Sequence, residues 1–103
     1  MRRIELSAQA QMRLEEITEY YIANESPERT IKVLDSFEES FLKIAETPHH
    51  FKRHHCPEFI NLDIRIFSHY KTYHIYFIVF EKIIIVAEIF HLSQHGSKLK
   101  IDI

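Results

Sequence analysis

From Arg3 the chain alternates polar and apolar residues as far as Leu6 and then meets Ser7, whose hydroxyl can accept a hydrogen bond from an early helical N–H. The pattern predicts a short strand running straight into a helix. Beyond Ala8, apolar side chains recur at Ala10, Leu14, Ile17 and Tyr21, with Arg13, Glu15, Glu16 and Glu19 largely between them. That is the signature of an amphipathic helix with one buried face. Near Asn24 and Glu25 the pattern breaks, and Ser26-Pro27-Glu28 restarts it with a capping hydroxyl, a proline at the first helical position and a first-turn carboxylate. The second helix carries Ile31, Leu34, Phe37, Phe41 and Ile44 as its apolar stripe. It stops at Thr47-Pro48, because the residue before a proline is pushed out of the helical region. Two helices with so short a connector predict an antiparallel hairpin.

Residues 48–61 show no period and form the one long loop. After it the period becomes extended, through 62–67, 72–80 and 83–91, rich in Ile, Val, Phe and Tyr. His69-Tyr70-Lys71 and Phe80-Glu81-Lys82 leave room only for tight turns, so three antiparallel strands follow as a meander. Residues 98–103 alternate polar with apolar, as a half-exposed edge strand or a partner-docked segment does. With strict alternation, Tyr73, Ile75, Phe77 and Val79 share one face, and His74, Tyr76, Ile78 and Phe80 the other. In the next strand the same rule groups Ile83, Ile85, Ala87 and Ile89 against Ile84, Val86, Glu88 and Phe90. Both faces are apolar and two helices cover only one, so the second calls for a partner, a homodimer mate or the chain's own tail.

With 103 residues, 46% apolar and 27% charged, the chain reads as one domain, 1–103. Its core is correspondingly modest. A formal charge of −2 argues against a broad grip on phosphate. A lone Cys56 excludes an internal disulfide, no secretory leader opens the chain, and no apolar run approaches a membrane span. A cytoplasmic protein is expected.

The order of elements and several local motifs resemble the RelE/ParE superfamily of toxins from type II toxin-antitoxin systems. The first helix, with Ser7-Ala8-Gln9-Ala10-Gln11, Leu14-Glu15-Glu16-Ile17 and the pair Tyr20-Tyr21, is similar to the family's capped helix. So are Tyr73-His74-Ile75-Tyr76-Phe77, matching a Tyr-x-Ile-x-Tyr strand, and the closing strand that ends in Phe90-His91. The resemblance implies an α+β fold: an N-terminal strand and an antiparallel helical hairpin packed on a small antiparallel sheet. It also implies a growth-inhibiting toxin neutralised by a cognate antitoxin, as a hetero-oligomer with it, without cofactor or membrane. Its target is DNA gyrase, as for ParE-like members, or ribosome-bound mRNA, as for RelE-like endoribonucleases. A degenerate member keeping only protein binding is the third alternative.

RNA cleavage needs a base near the 2′-hydroxyl, cations for the phosphorane and an acid for the leaving oxygen. From this family view the candidates are His91, Arg65, Tyr73 and Lys71, with His69 and His95 in reserve. Relatives commonly carry an arginine within about three positions of the closing histidine, whereas this chain reads Leu92-Ser93-Gln94-His95. The missing cation and the acidic balance favour the gyrase reading. His91 and Arg65 have structural alternatives: a histidine bonded to backbone, and an arginine paired with Asp63 or Glu88.

His49, His50, His54, His55 and Cys56 crowd potential metal ligands into eight residues. Their spacing fits no usual metal motif, and no metal site is expected. Lys52-Arg53-His54-His55 reads instead as a basic patch for an acidic antitoxin or a nucleic-acid backbone, or as a solvated loop. Cys56, before a proline and with no Asn or Asp to complete a Cys-His system, reads as inert.

Overall fold

The computed structural model describes residues 1–70 and 72–92 of the chain. Lys71, His95 and the alternating segment 98–103 lie outside the described residues. The elements are β1 (Arg3–Leu6), α1 (Ala8–Asn24), α2 (Pro27–Glu46), β2 (Lys52–Arg53), β3 (Ile64–His69), β4 (Tyr73–Val79) and β5 (Ile83–His91). Single 3-10 turns occupy Pro48–His50 and Pro57–Phe59.

Both helices begin as their sequence requires. Ser7 Oγ accepts from the Ala10 N–H at 3.0 Å, and Ser26 Oγ from the Arg29 N–H at 3.2 Å, each satisfying one orphan donor of a first turn. The helices pack on one face of a five-stranded sheet ordered β1-β5-β4-β3-β2. Ala10, Phe37, Phe41 and Ile44 from the hairpin meet Ile75, Phe77, Ile84, Val86 and Ile89 from the sheet, forming the main core. Each of the larger side chains contributes about 1.5–3 kcal/mol by leaving water.

The antiparallel meander holds for β3, β4 and β5. Three features differ from the sequence-based expectation. First, β1 pairs parallel with β5, Arg3 opposite Ile83 and Leu6 opposite Val86, so the sheet is mixed. The helical hairpin supplies the long crossover that parallel pairing needs. Second, the loop contains a strand: Lys52 and Arg53 pair with Ile66 and Arg65 at the outer edge. Two residues are too few to show a period. Third, β5 carries a bulge. Tyr76 is opposite Glu88 and Phe77 opposite Val86, which leaves Ala87 as the extra residue. A bulge inverts the alternation beyond it. Ile84, Val86 and Ile89 therefore share the helix-facing core, while Ala87 joins Ile64 and Ile78 in a second cluster. The strict face assignment along 83–91 is corrected accordingly.

That second cluster lies on the far face of the sheet, and Phe59 and Leu62 pack against it along with Tyr76 and Phe80. For this part of the far face the cover is the loop following β2, where a partner, a mate or the tail was expected. The loop carries its own apolar side chains, so no second molecule is needed there.

Candidate functional site

Where β1 stops at Leu6, the far half of β5 loses its neighbour, and its edge groups need other partners. Ser7 and Glu88 provide them. The Ser7 N–H donates to Val86 O and the Ser7 hydroxyl to Ala87 O, both at 2.9 Å. Glu88 Oε1 accepts the Ile89 N–H at 2.9 Å and also Arg13 Nε at 3.0 Å. The Glu88 side chain is 2% exposed, so its charge rests on these contacts. Burial works against the Arg13 charge, but Glu88, helped by Glu16 at 3.5 Å, outweighs it and holds the guanidinium above its ordinary value.

Arg13 forms one wall of a groove of about 300 Å³, with Glu16, Ile17 and Tyr20 of α1 facing Tyr73, Ile89 and His91 of the sheet. The His91 ring meets Tyr73 edge-on, centroids 5.2 Å apart. Two of the sequence candidates, His91 and Tyr73, thus come together in one groove. Burial, and then the Tyr21 hydroxyl beside it, push the Tyr73 phenol above its ordinary value. Sequence reasoning missed Arg13. The available signal was Glu88: one carboxylate inside the most apolar strand requires a cation from elsewhere in the fold.

Arg65 lies on β3, across β4 from β5. Its Nε and NH2 donate to the two Asp63 carboxylate oxygens at 3.1 and 3.3 Å, and NH1 donates to Phe51 O at 2.9 Å and His49 O at 3.3 Å. This guanidinium ties residues 49–51 to β3. Arg53 also reaches Asp63 at 3.3 Å, and His49 at 3.9 Å. Lys71 and His95, the remaining candidate cations, lie outside the described residues.

His69, the reserve candidate, is 3% exposed. Its ring stacks on Phe37 at 4.2 Å and bridges two α2 hydroxyls, Ser36 Oγ at 3.1 Å from Nε2 and Ser40 Oγ at 2.6 Å from Nδ1. The tautomer follows from counting protons. Ser36 spends its single hydroxyl proton on Val33 O at 2.6 Å, so it must accept from His69 Nε2–H. Nδ1 then accepts from Ser40. Desolvation, with the nearby Lys43 charge, lowers His69 to about 4 and keeps it neutral at physiological pH. A Ser-His-Ser chain of this polarity does not activate Ser36, since the imidazole donates to the hydroxyl it would have to deprotonate. It is a latch between α2 and β3.

The histidines of the loop point to different partners: His49 approaches Asp63, and His54 meets Tyr76 edge-on at 5.3 Å. Among the described residues, no group of three His, Cys, Asp or Glu side chains converges as a metal ion requires. No described helix is long and apolar enough to cross a membrane. Another groove, of about 480 Å³, lies away from His91: Leu6, Leu14 and Leu34 form its apolar floor, and Glu15 and Glu19 stand among its polar lining residues.

Against known families, residues 4–96 match the family described as ParE toxin of type II toxin-antitoxin system, parDE. Among solved structures, the chain is similar to one from the chromosomal ParDE TA system from P. aeruginosa. The TM-score is 0.72 at 18% identity, over 88% of this chain and 96% of that one. At that identity the likeness speaks for the fold. No curated protein matches the chain significantly.

Proposed function

Since this chain belongs to the ParE toxin family, and is therefore a toxin of a type II toxin-antitoxin system, we propose that it arrests growth by binding DNA gyrase in the cytoplasm. The observation that supports binding over catalysis is the engagement of both arginines. Arg13, the cation beside His91 and Tyr73, is held by Glu88 and Glu16, and Arg65 is held by Asp63 and two backbone carbonyls. Neither is available to a developing phosphorane without giving up a carboxylate. Restraint of the toxin falls to a cognate antitoxin. The groove floored by Leu6, Leu14 and Leu34, with Glu15 and Glu19 beside it, suits an amphipathic segment that brings apolar side chains flanked by cations.

The alternative reading, a ribosome-dependent mRNA endonuclease, draws on the meeting of His91 and Tyr73 in one groove. Pulse incorporation of labelled thymidine and methionine after inducing the chain alone separates the two. Gyrase binding predicts that DNA synthesis stops first and that His91→Ala arrests growth nearly as well as the wild type. If translation stops first and His91→Ala is harmless, the gyrase reading fails. Wild-type protein that arrests nothing would support a member that keeps only protein binding.

A further inference from the structure

The polar side of α2 is divided by charge. At about 100° per residue, Arg29, Lys32, Ser36, Ser40 and Lys43 fall within an arc of about 80°, and Glu28, Asp35, Glu39 and Glu46 within an adjoining arc of about 40°. The cationic arc faces the end of the sheet, where Ser36 and Ser40 hold His69. Arg29 and Lys32 there overlook a cleft of about 250 Å³, which also takes in Tyr21, Tyr70, Thr72 and Tyr73 and has no carboxylate among its described lining residues. Their charges are little used. Arg29 lies 3.9 Å from Glu25 with both side chains well exposed, and Lys32 makes no ion pair among the described residues.

At the lip of this cleft Tyr70 adopts a left-handed backbone, with φ of 47°. It occupies the first central position of the turn closed by the Thr72 N–H on His69 O at 3.0 Å. Glycine or asparagine meets that demand without the clash of a bulky side chain, and both are the usual occupants of such turns. Here a tyrosine accepts the steric cost; its ring meets His69 edge-on with centroids 4.7 Å apart, and the residue stays 66% exposed at the cleft that Arg29 and Lys32 also line. A strained, exposed aromatic at a cleft is an observation that points toward a ligand.

We propose that the cleft between α2 and the β3–β4 turn binds a phosphate monoester carried on an aromatic base, that is, a nucleotide. Arg29 and Lys32 take the phosphate oxygens, and the Tyr70 ring stacks on the base. An acidic peptide would use the cations but leaves the exposed ring unexplained. A long polyanion meets the neighbouring carboxylate arc, so the ligand is short: a free nucleotide or the phosphorylated end of a strand. The site adjoins the groove at His91, with which it shares Tyr73, but its phosphate and base contacts use neither Arg13 nor His91.

The test is calorimetry on the full chain with adenosine 5′-monophosphate, adenosine, a 5′-phosphorylated hexanucleotide and a hexaglutamate peptide as probes. The nucleotide is expected to bind at least about tenfold more tightly than adenosine, and Arg29→Ala/Lys32→Ala to remove most of that margin, a loss typical of charge-assisted contacts. Tyr70→Gly relieves the left-handed strain, so it should weaken nucleotide binding several-fold without lowering the melting temperature. Tighter binding of the hexanucleotide than of the free nucleotide supports a strand end as the source, and the reverse order supports a free nucleotide. The proposal is overturned if the nucleotide fails to bind at millimolar concentration, if adenosine binds as well, if the double variant binds unchanged, or if hexaglutamate binds more tightly than either phosphate probe.

Discussion

Two arginine-carboxylate pairs stand on the two strands that flank β4, one on β5 and one on β3, and they do different work. Arg13 meets Glu88, whose side chain is 2% exposed, while Arg65 meets Asp63, which is 28% exposed and shared with Arg53 and His49. In the first pair a desolvated carboxylate depends on one cation and one backbone N–H. In the second, water and other cations already reach the carboxylate, and the guanidinium has two carbonyls besides. The strength of such a pair is set by what removing one member leaves behind, not by the N–O distances, which are nearly the same.

The largest effect should therefore come from Arg13→Ala. It strands the Glu88 charge inside the protein and is expected to cost about 3–5 kcal/mol in urea unfolding. Glu88→Gln in the same background keeps an acceptor for the Ile89 N–H and should restore much of the loss. If the double variant is no more stable than Arg13→Ala alone, the stranded charge is not the cause.

Acid should produce the next largest effect, through His69, which belongs to neither pair. Its folded value near 4 lies below the ordinary 6.5, so between those pH values the unfolded chain binds the proton more readily. The contribution is complete above about pH 6.5, falls as the pH drops and is spent below about pH 4. The whole window amounts to about 3 kcal/mol. His69→Leu removes the titrating group, so its stability should decline less steeply over the same range. An equal slope would place the acid sensitivity elsewhere.

Arg65→Ala should be milder, about 1–2 kcal/mol, because Asp63 keeps Arg53 and the freed carbonyls of residues 49 and 51 lie near solvent. Its effect should be local: faster amide exchange at Arg53 and His54, the loop residues nearest β3, with little change in α1. An Arg65→Ala loss larger than that of Arg13→Ala would reverse the comparison of the two pairs.

Much of the fold could be read from local pattern. Ser7, Ser26 and Pro27 mark both helix starts, Thr47-Pro48 the second helix end, and the β-branched and aromatic runs the three long strands. These signals depend only on neighbours in the chain. The parallel placement of β1, the two-residue β2 and the Ala87 bulge depend on what a strand finds across the sheet, and no local period records that. The site divides in the same way. His91 and Tyr73 can be named as candidates from the sequence because they lie on regular strands of the family pattern. Arg13 was hidden among the polar residues of an amphipathic helix, 75 residues from the carboxylate that fixes it. Ser36 and Ser40 lie on α2, and nothing near them in the chain marks the His69 ring they hold.

The pairing of β1 with β5 also bears on how the molecule comes into being. β1, made early, must wait for β5, since Arg3 lies opposite Ile83 and the Ser7 N–H donates to Val86 O. Loops of this length close slowly, and topologies rich in such distant pairs fold more slowly than helical bundles of equal size. The helical hairpin can form early on its own local contacts, but its apolar face stays without a sheet until β5 has been synthesised. During that interval the nascent toxin has neither a finished core nor a finished groove, and both take shape only when β5 is added.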